Sequence, residues 1–250
     1  MYHNLRAMTS VTQDSISLRN AGVVSIVQPK KGFRFTLDSL LLADFCRIKP
    51  GSRILEPGAG TGIVSILLAR KFPGARFVAD EVEPQAFKLL CRNIELNGLA
   101  DAITPIDRDL QHLRRSIAPD SFDVLIANPP YIKSGTGRKS PSPERQTARQ
   151  DQTASLSCWV DLQTVLKNKG KYFLVFPANR SAELISVLRE RGLEPKRMRW
   201  VHPFEDKSAS LLLIEAIKTS GVGLTILPPL VVHEKNGGYT KEMREIYGSG

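Results

Sequence analysis

Phe122-Asp123-Val124-Leu125-Ile126-Ala127-Asn128-Pro129-Pro130-Tyr131 is the stretch around which this chain is organised. Its first six residues form a short apolar run bounded by turn formers, which predicts a strand buried in a parallel sheet. Two prolines directly afterwards end the ladder, because neither has an N–H to donate and each fixes φ. The result is a rigid turn at the carboxyl end of a strand, with an amide before it and an aromatic ring after it. In open α/β sheets that edge is where ligands sit.

Strands and helices alternate on both sides of this turn. Upstream, the pattern predicts strands at 53–56, 75–80 and 102–106, and helices at 63–71, 84–97 and 110–116. Pro84 suits a first helical turn, and Asn97-Gly98 is a C-terminal stop. Downstream, helices are expected at 155–168 and 182–191, with strands at 171–176, 195–201 and 209–216. Such alternation predicts an α/β fold with a mostly parallel sheet and helices on both faces.

Ahead of this core, 23–27 alternates and runs into Pro29-Lys30-Lys31-Gly32, which predicts a hairpin or extended lead-in with its turn at 29–32. Thr36 or Asp38 would cap a helix whose apolar residues are 40, 41, 42 and 45. The chain thus divides into an N-terminal extension, 1–34, and a domain, 35–250. Between Lys133 and Gln152 a Ser/Gly/Pro-rich segment carries Lys133, Arg138, Lys139, Arg145 and Arg149 against only Glu144 and Asp151. A loop of this length inside a compact domain is expected to be functional or disordered.

Composition narrows the class. With 42% hydrophobic and 24% charged residues the chain reads as a globular protein, and no apolar run approaches the roughly 20 residues of a membrane span. The first residues lack the apolar core of a secretory signal. Three widely spaced cysteines read as reduced thiols, so a cytoplasmic protein is expected, a monomer or small homo-oligomer. Four scattered histidines show no ligand spacing, so no metal is expected. A net charge of +10 favours a polyanionic partner, because phosphate neutralisation dominates nucleic-acid affinity.

Glu56-Pro57-Gly58-Ala59-Gly60-Thr61-Gly62 lies between a predicted strand and helix. Alternate glycines let the backbone turn tightly and approach a ligand without Cβ interference. The Gly-x-Gly-x-Gly spacing and the preceding acid differ from the dinucleotide fingerprint, and no Gly-Lys-Ser/Thr makes a phosphate loop. The next strand ends in Asp80-Glu81-Val82-Glu83, about 20 residues on, where a carboxylate can accept ribose hydroxyls. Asp107-Arg108-Asp109-Leu110 follows the third strand, and Asp109 is also placed to cap the short helix after it.

Taken together these residues resemble the class I S-adenosylmethionine-dependent methyltransferases that act on planar amino or amide nitrogens. The resemblance implies a Rossmann-like sheet of seven strands whose last strand is antiparallel, with S-adenosyl-L-methionine as cofactor. It implies catalysis by Asn128, Pro129, Pro130 and Tyr131. It also implies a cofactor site drawn from Thr36, Asp38, Glu56, Gly58, Ala59, Gly60, Thr61, Gly62, Glu81, Val82, Asp109, Leu110 and Asn128. Glu81 is the expected ribose acceptor, with Asp80 the alternative.

The flanks narrow the family. Phe33-Arg34-Phe35-Thr36-Leu37-Asp38-Ser39-Leu40-Leu41-Leu42-Ala43, and the tail from Leu230-Val231-Val232-His233 to Ile246-Tyr247, look like the bacterial tRNA(Val) adenine-N(6)-methyltransferases. That family would methylate the exocyclic amine of an adenine next to the anticodon. The basic segment 133–152 departs from the family's pattern, and its position beside the catalytic turn makes Lys133, Arg138, Lys139, Arg145 and Arg149 the expected RNA-binding residues. The same catalytic motif also serves glutamine methylases of peptide-release factors and enzymes acting on ribosomal RNA or DNA bases.

Overall fold

The computed structural model describes residues 11–30, 34–130 and 156–248. In chain order the elements are β1 (Val11–Leu18), β2 (Gly22–Pro29), α1 (Leu37–Phe45), β3 (Arg53–Pro57), α2 (Ile63–Lys71), β4 (Arg76–Asp80), α3 (Pro84–Leu96), β5 (Ile103–Ile106), α4 (Leu110–Ser116) and β6 (Phe122–Ala127). After the next described residue, Leu156, come α5 (Leu156–Val160), a 3₁₀ turn (Asp161–Val165), β7 (Leu166–Pro177), a second 3₁₀ turn (Ala178–Arg180) and α6 (Ser181–Glu190). The chain then continues through β8 (Leu193–His202), β9 (Leu211–Lys218), β10 (Thr225–Ile226), β11 (Leu230–Val231) and α7 (Lys241–Ile246).

The main sheet runs β5-β4-β3-β6-β7-β9-β8, with the two-residue strands β10 and β11 both paired to β8. β9 alone is antiparallel to its neighbours, β7 and β8. This is the Rossmann-like sheet expected, seven strands with an antiparallel last strand, extended by β10 and β11. β3 and β6 are adjacent, but the chain leaves them in opposite directions across the sheet. That makes their carboxyl ends the topological switch point, where a crevice opens.

Alternation along the central strands fills both faces. Ile54, Val124, Ile126, Phe173 and Val175 enter one core with α1, α2 and α3; Leu55, Leu125, Ala127, Tyr172 and Leu174 enter the other with α4, α5 and α6. A period of two with both faces apolar is why these strands read as continuous hydrophobic runs.

Two local expectations are corrected. The hairpin of β1 and β2 turns at 19–21, before Val23; there Asn20 adopts φ +64°, which asparagine tolerates, and Ala21 N–H donates to Leu18 O, while the turn expected at 29–32 runs into 31–33, outside the described residues. The helix expected over 155–168 stops at Val165, and Leu166–Asn168 already belongs to β7. Apolar residues at 160, 162, 165 and 166 fit a helical stripe equally well, and only pairing to β6 decides it.

The hairpin docks on α3 by an unusual device. Asn93 accepts from Val27 N–H at 2.8 Å and donates to Val27 O at 2.9 Å; Asn97 accepts from Ser25 N–H at 3.1 Å and donates to Ser25 O at 2.8 Å. Two amides at helical spacing therefore satisfy the outer edge of a strand. Leu18, Val24 and Ile26 join the core beneath α1–α3. The tail packs back as well, with Met243 and Ile246 buried in the same core. No helix among the described residues is long and apolar enough to cross a membrane.

Candidate active site

The glycine turn leaves β3 at Pro57. Gly58, Gly60 and Gly62 have φ of +63°, +59° and +84°, a region that costs other residues about 1–2 kcal/mol. A Cβ on Gly58 would lie 2.6 Å from the Trp159 ring, and one on Gly62 would lie 2.5 Å from Leu90. Around Gly60 there is nothing within 4 Å, so its missing Cβ leaves open space above the turn. The outer glycines are demanded by packing. The middle one shapes a cradle.

The second strand pins this turn. Ala59 N–H donates to Asp80 O at 2.7 Å, and Gly60 N–H donates to the Glu81 carboxylate at 2.8 Å. The other Glu81 oxygen accepts from Glu83 N–H at 2.8 Å. Burial raises the Glu81 pKa. Asp80 is 1% exposed and accepts from Arg108 N–H at 2.9 Å, with burial lifting its carboxyl to about 7. Asp80 thus lies under the turn, whereas Glu81 is partly exposed beside Gly60.

Glu56 is 4% exposed and its pKa is pushed up to about 7 by burial. One of its oxygens accepts from both the N–H (2.9 Å) and the hydroxyl of Ser65, in the first turn of α2. Ala59 and Thr61 are buried; the Thr61 carbonyl accepts from Asn93 Nδ2 at 2.9 Å. Val82 is 60% exposed at the rim. Asp109 caps α4, accepting from His112 N–H at 2.8 Å, and that bond holds its pKa below the usual carboxylate range. Leu110 packs against the core on the α4 side.

Asn128 follows β6, beside the strand that feeds the glycine turn. Its Nδ2 donates to the Oγ of Ser39 at 3.1 Å. Ser39 is buried in the first turn of α1. Thr36 is the N-cap of that helix but makes no side-chain capping bond; its hydroxyl pairs with Asp38, whose pKa burial raises. Pro129 is buried and Pro130 exposed. Tyr131 lies outside the described residues, as do Lys133, Arg138, Lys139, Arg145 and Arg149.

Three participants escape a reading of the sequence. Ser39 is a short polar residue inside the apolar run of α1, a signal that could have drawn notice. Ser65 sits where Glu56 needs a donor, one helical turn after the glycines. Trp159 has no signal at all; its place beneath Gly58 depends on the tertiary packing of α5, held by Tyr172 OH donating to the Trp159 carbonyl at 2.9 Å.

Comparison with known proteins bears on the fold and the family. Residues 45–133 match the TRM5/TYW2 methyltransferase domain. Among solved structures, one described as a predicted O-methyltransferase from Agrobacterium tumefaciens superposes with a TM-score of 0.68 at 21% identity, covering 85% of this chain and 96% of that one. TYW2 of Pyrococcus horikoshii, in complex with MeSAdo, gives 0.57 at 16%, covering 85% and 73%. These likenesses show the fold.

Relatives in sequence go further. The tRNA1(Val) (adenine(37)-N6)-methyltransferase of Vibrio campbellii is 26% identical over 227 residues, 89% of this chain and 92% of that protein. The enzyme of the same name from Parabacteroides distasonis is 30% identical over 186 residues, 73% and 76% of the two chains. At that identity and coverage, the chain belongs to the tRNA1(Val) (adenine(37)-N6)-methyltransferase family.

Proposed function

We propose that this protein transfers a methyl group from S-adenosylmethionine to the exocyclic amine of adenine 37 in tRNA, beside the anticodon. The observation that carries this reading is Asn128, held by Ser39 at the end of β6 next to the glycine turn of β3. The open space over Gly60, with the Glu81 carboxylate beside it, fits a cofactor that bears positive charge and ribose hydroxyls. When bound, the cofactor supplies an electrophilic methyl on a sulfonium that departs as a neutral thioether.

In this reading the chain's residues act on the nitrogen. An adenine amine is a poor nucleophile because its lone pair is delocalised into the ring. The Asn128 Oδ1 accepts one N–H of the amine, and the Pro129 carbonyl, aimed by fixed φ angles, accepts the other. Both acceptors strengthen their hold as positive charge develops on nitrogen, so they favour the transition state over the ground state. Tyr131 offers a face for the base, a stack worth about 1–3 kcal/mol. The target base must be flipped out or unpaired to reach the turn. No strong general base is needed, since the methylated amine is acidic enough to lose its proton to water.

On the cofactor side, Glu81 accepts from the ribose hydroxyls, Glu56 sets a negative field through the Ser65 turn, and Asp109 with Leu110 receives the adenine. Lys133, Arg138, Lys139, Arg145 and Arg149 carry RNA phosphates in this proposal. The test is transfer of label from radiolabelled S-adenosylmethionine to total tRNA, ribosomal RNA and release factors, followed by nucleoside analysis. Label in tRNA as N6-methyladenine next to the anticodon is expected. Label confined to ribosomal RNA or to protein would overturn the substrate.

A further inference from the structure

A groove of about 520 Å³ opens at the carbonyl end of α1, away from the glycine turn. Its lining includes the cations Arg19, Arg47, Lys71, Arg197 and Arg199 against one carboxylate, Asp44. The groove and the catalytic turn share α1: Ser39 in its first turn bonds Asn128, and Phe45 at its last residue lines the groove. From Ser39 to Phe45 the helix axis advances roughly 9 Å. A polynucleotide whose target base enters the site therefore meets this groove only through residues further along its chain.

Four of the five cations already have partners. Within the groove Asp44 pairs with both Arg19, at 2.9 Å, and Lys71, at 3.6 Å; outside its lining, Glu215 pairs with Arg197, at 2.9 Å, and with Lys171, at 2.8 Å, and Glu242 pairs with Arg199, at 2.7 Å. Lys71 and Arg197 also close the end of α1, donating to the carbonyls of Asp44 at 3.0 Å and Phe45 at 2.6 Å. Those two have a structural reason to be there. Arg47 has none: it is exposed and, among the described residues, in no ion pair. Burial lowers the pKa of Lys71 and of Arg197, so an arriving anion would relieve a cost already present.

We propose that this groove holds the phosphodiester backbone of the RNA substrate at a distance from the target base. The proposal rests on the reading that the substrate is tRNA, and it assigns a surface that the catalytic turn does not need. Its occupant is a polyanion rather than a base: cations outnumber carboxylates in the lining, and the exposed Arg47 with the part-exposed Arg19 present guanidiniums suited to phosphate oxygens.

The test compares Arg47→Gln and Arg19→Gln, singly and together, with Lys88→Gln, which removes one exposed cation from α3, outside the groove. Binding of full-length tRNA is followed by fluorescence anisotropy across a salt series, and S-adenosylhomocysteine binding by calorimetry. For the double variant, tRNA affinity should fall about tenfold and the salt slope by about two, with S-adenosylhomocysteine affinity held within about twofold. Lys88→Gln should change little.

Unchanged tRNA affinity and slope in Arg47→Gln and in the double variant would overturn the groove. So would an equal loss in Lys88→Gln, which would reduce the effect to net charge, or a parallel loss of S-adenosylhomocysteine binding. Failure of the wild-type protein to bind tRNA is a different outcome, visible before any variant is made, and would overturn the substrate reading itself.

Discussion

The amide nitrogen of Asn128 reaches across to the hydroxyl of Ser39 at 3.1 Å, joining the carboxyl end of β6 to the first turn of α1. The two residues are 89 positions apart in sequence. With Nδ2 committed to Ser39, the oxygen lies at the opposite end of the same planar group. Ser39→Ala should lower kcat about tenfold while leaving cofactor affinity unchanged, and Ser39→Thr should recover most of it. Asn128→Ala should cost at least about a hundredfold in kcat. Single-turnover methylation with calorimetry on the same samples checks both, and a Ser39→Ala enzyme with normal turnover would dismiss the contact as incidental.

Gly58 and Gly60 share a positive φ but differ in what surrounds them, so alanine should separate two costs. Gly58→Ala meets the Trp159 ring and should destabilise the fold by about 2–4 kcal/mol, from backbone strain and overpacking together. Gly60→Ala has room and should cost about 1–2 kcal/mol, yet its methyl stands in the cradle and should abolish cofactor binding. Thermal melts with and without S-adenosylhomocysteine distinguish them; equal melting temperatures for the two variants would contradict the packing difference.

Burial raises both Glu56 and Asp80 to about 7. Between the ordinary carboxylate range and pH 7 the folded protein therefore holds protons that the unfolded chain has released. The stability these groups contribute is complete at acid pH and falls as pH rises through 7. A positively charged cofactor favours their ionised forms, so its affinity should increase over the same interval, with protons released on binding. Calorimetry in buffers of different ionisation heat reads this directly, and an affinity flat from pH 6 to 8 would refute it. Glu56→Gln should raise the melting temperature at pH 8 and weaken cofactor binding about tenfold.

Asn93 and Asn97 hold the hairpin edge, so Asn93→Leu should strand the Val27 backbone groups in the interior. A loss of about 1–3 kcal/mol is expected, with faster amide exchange at Val27 than at the α2 amides. Exchange that stays slow at Val27 would show that burial alone retains the hairpin.

The sequence exposed the parts of this molecule that depend on local rules. The strand 122–127 and the helices 63–71 and 110–116 begin and end where their turn formers and caps stand, because Gly62, Asp109 and Asn128 punctuate the chain unambiguously. The hairpin turn was harder: Pro29 and Gly32 are the louder signals, while Asn20 reveals itself only through its backbone angle. Within the site, spacing pointed to the glycines, and the acidic run left Asp80 and Glu81 to be separated by burial. Ser39 and Trp159 depend on contacts across 89 and 101 positions of chain, which no local pattern encodes.

The docking of β2 on α3 has a wider consequence. Strand residues two apart are separated by roughly 6.8 Å and helix residues four apart by roughly 6 Å, so one asparagine pair can match one strand edge. A helix here stands in for a neighbouring strand. The rim of a two-stranded ribbon is ordinarily an invitation to pair with another molecule. By turning that rim inward onto α3, the protein carries a hairpin with no adhesive border on that side.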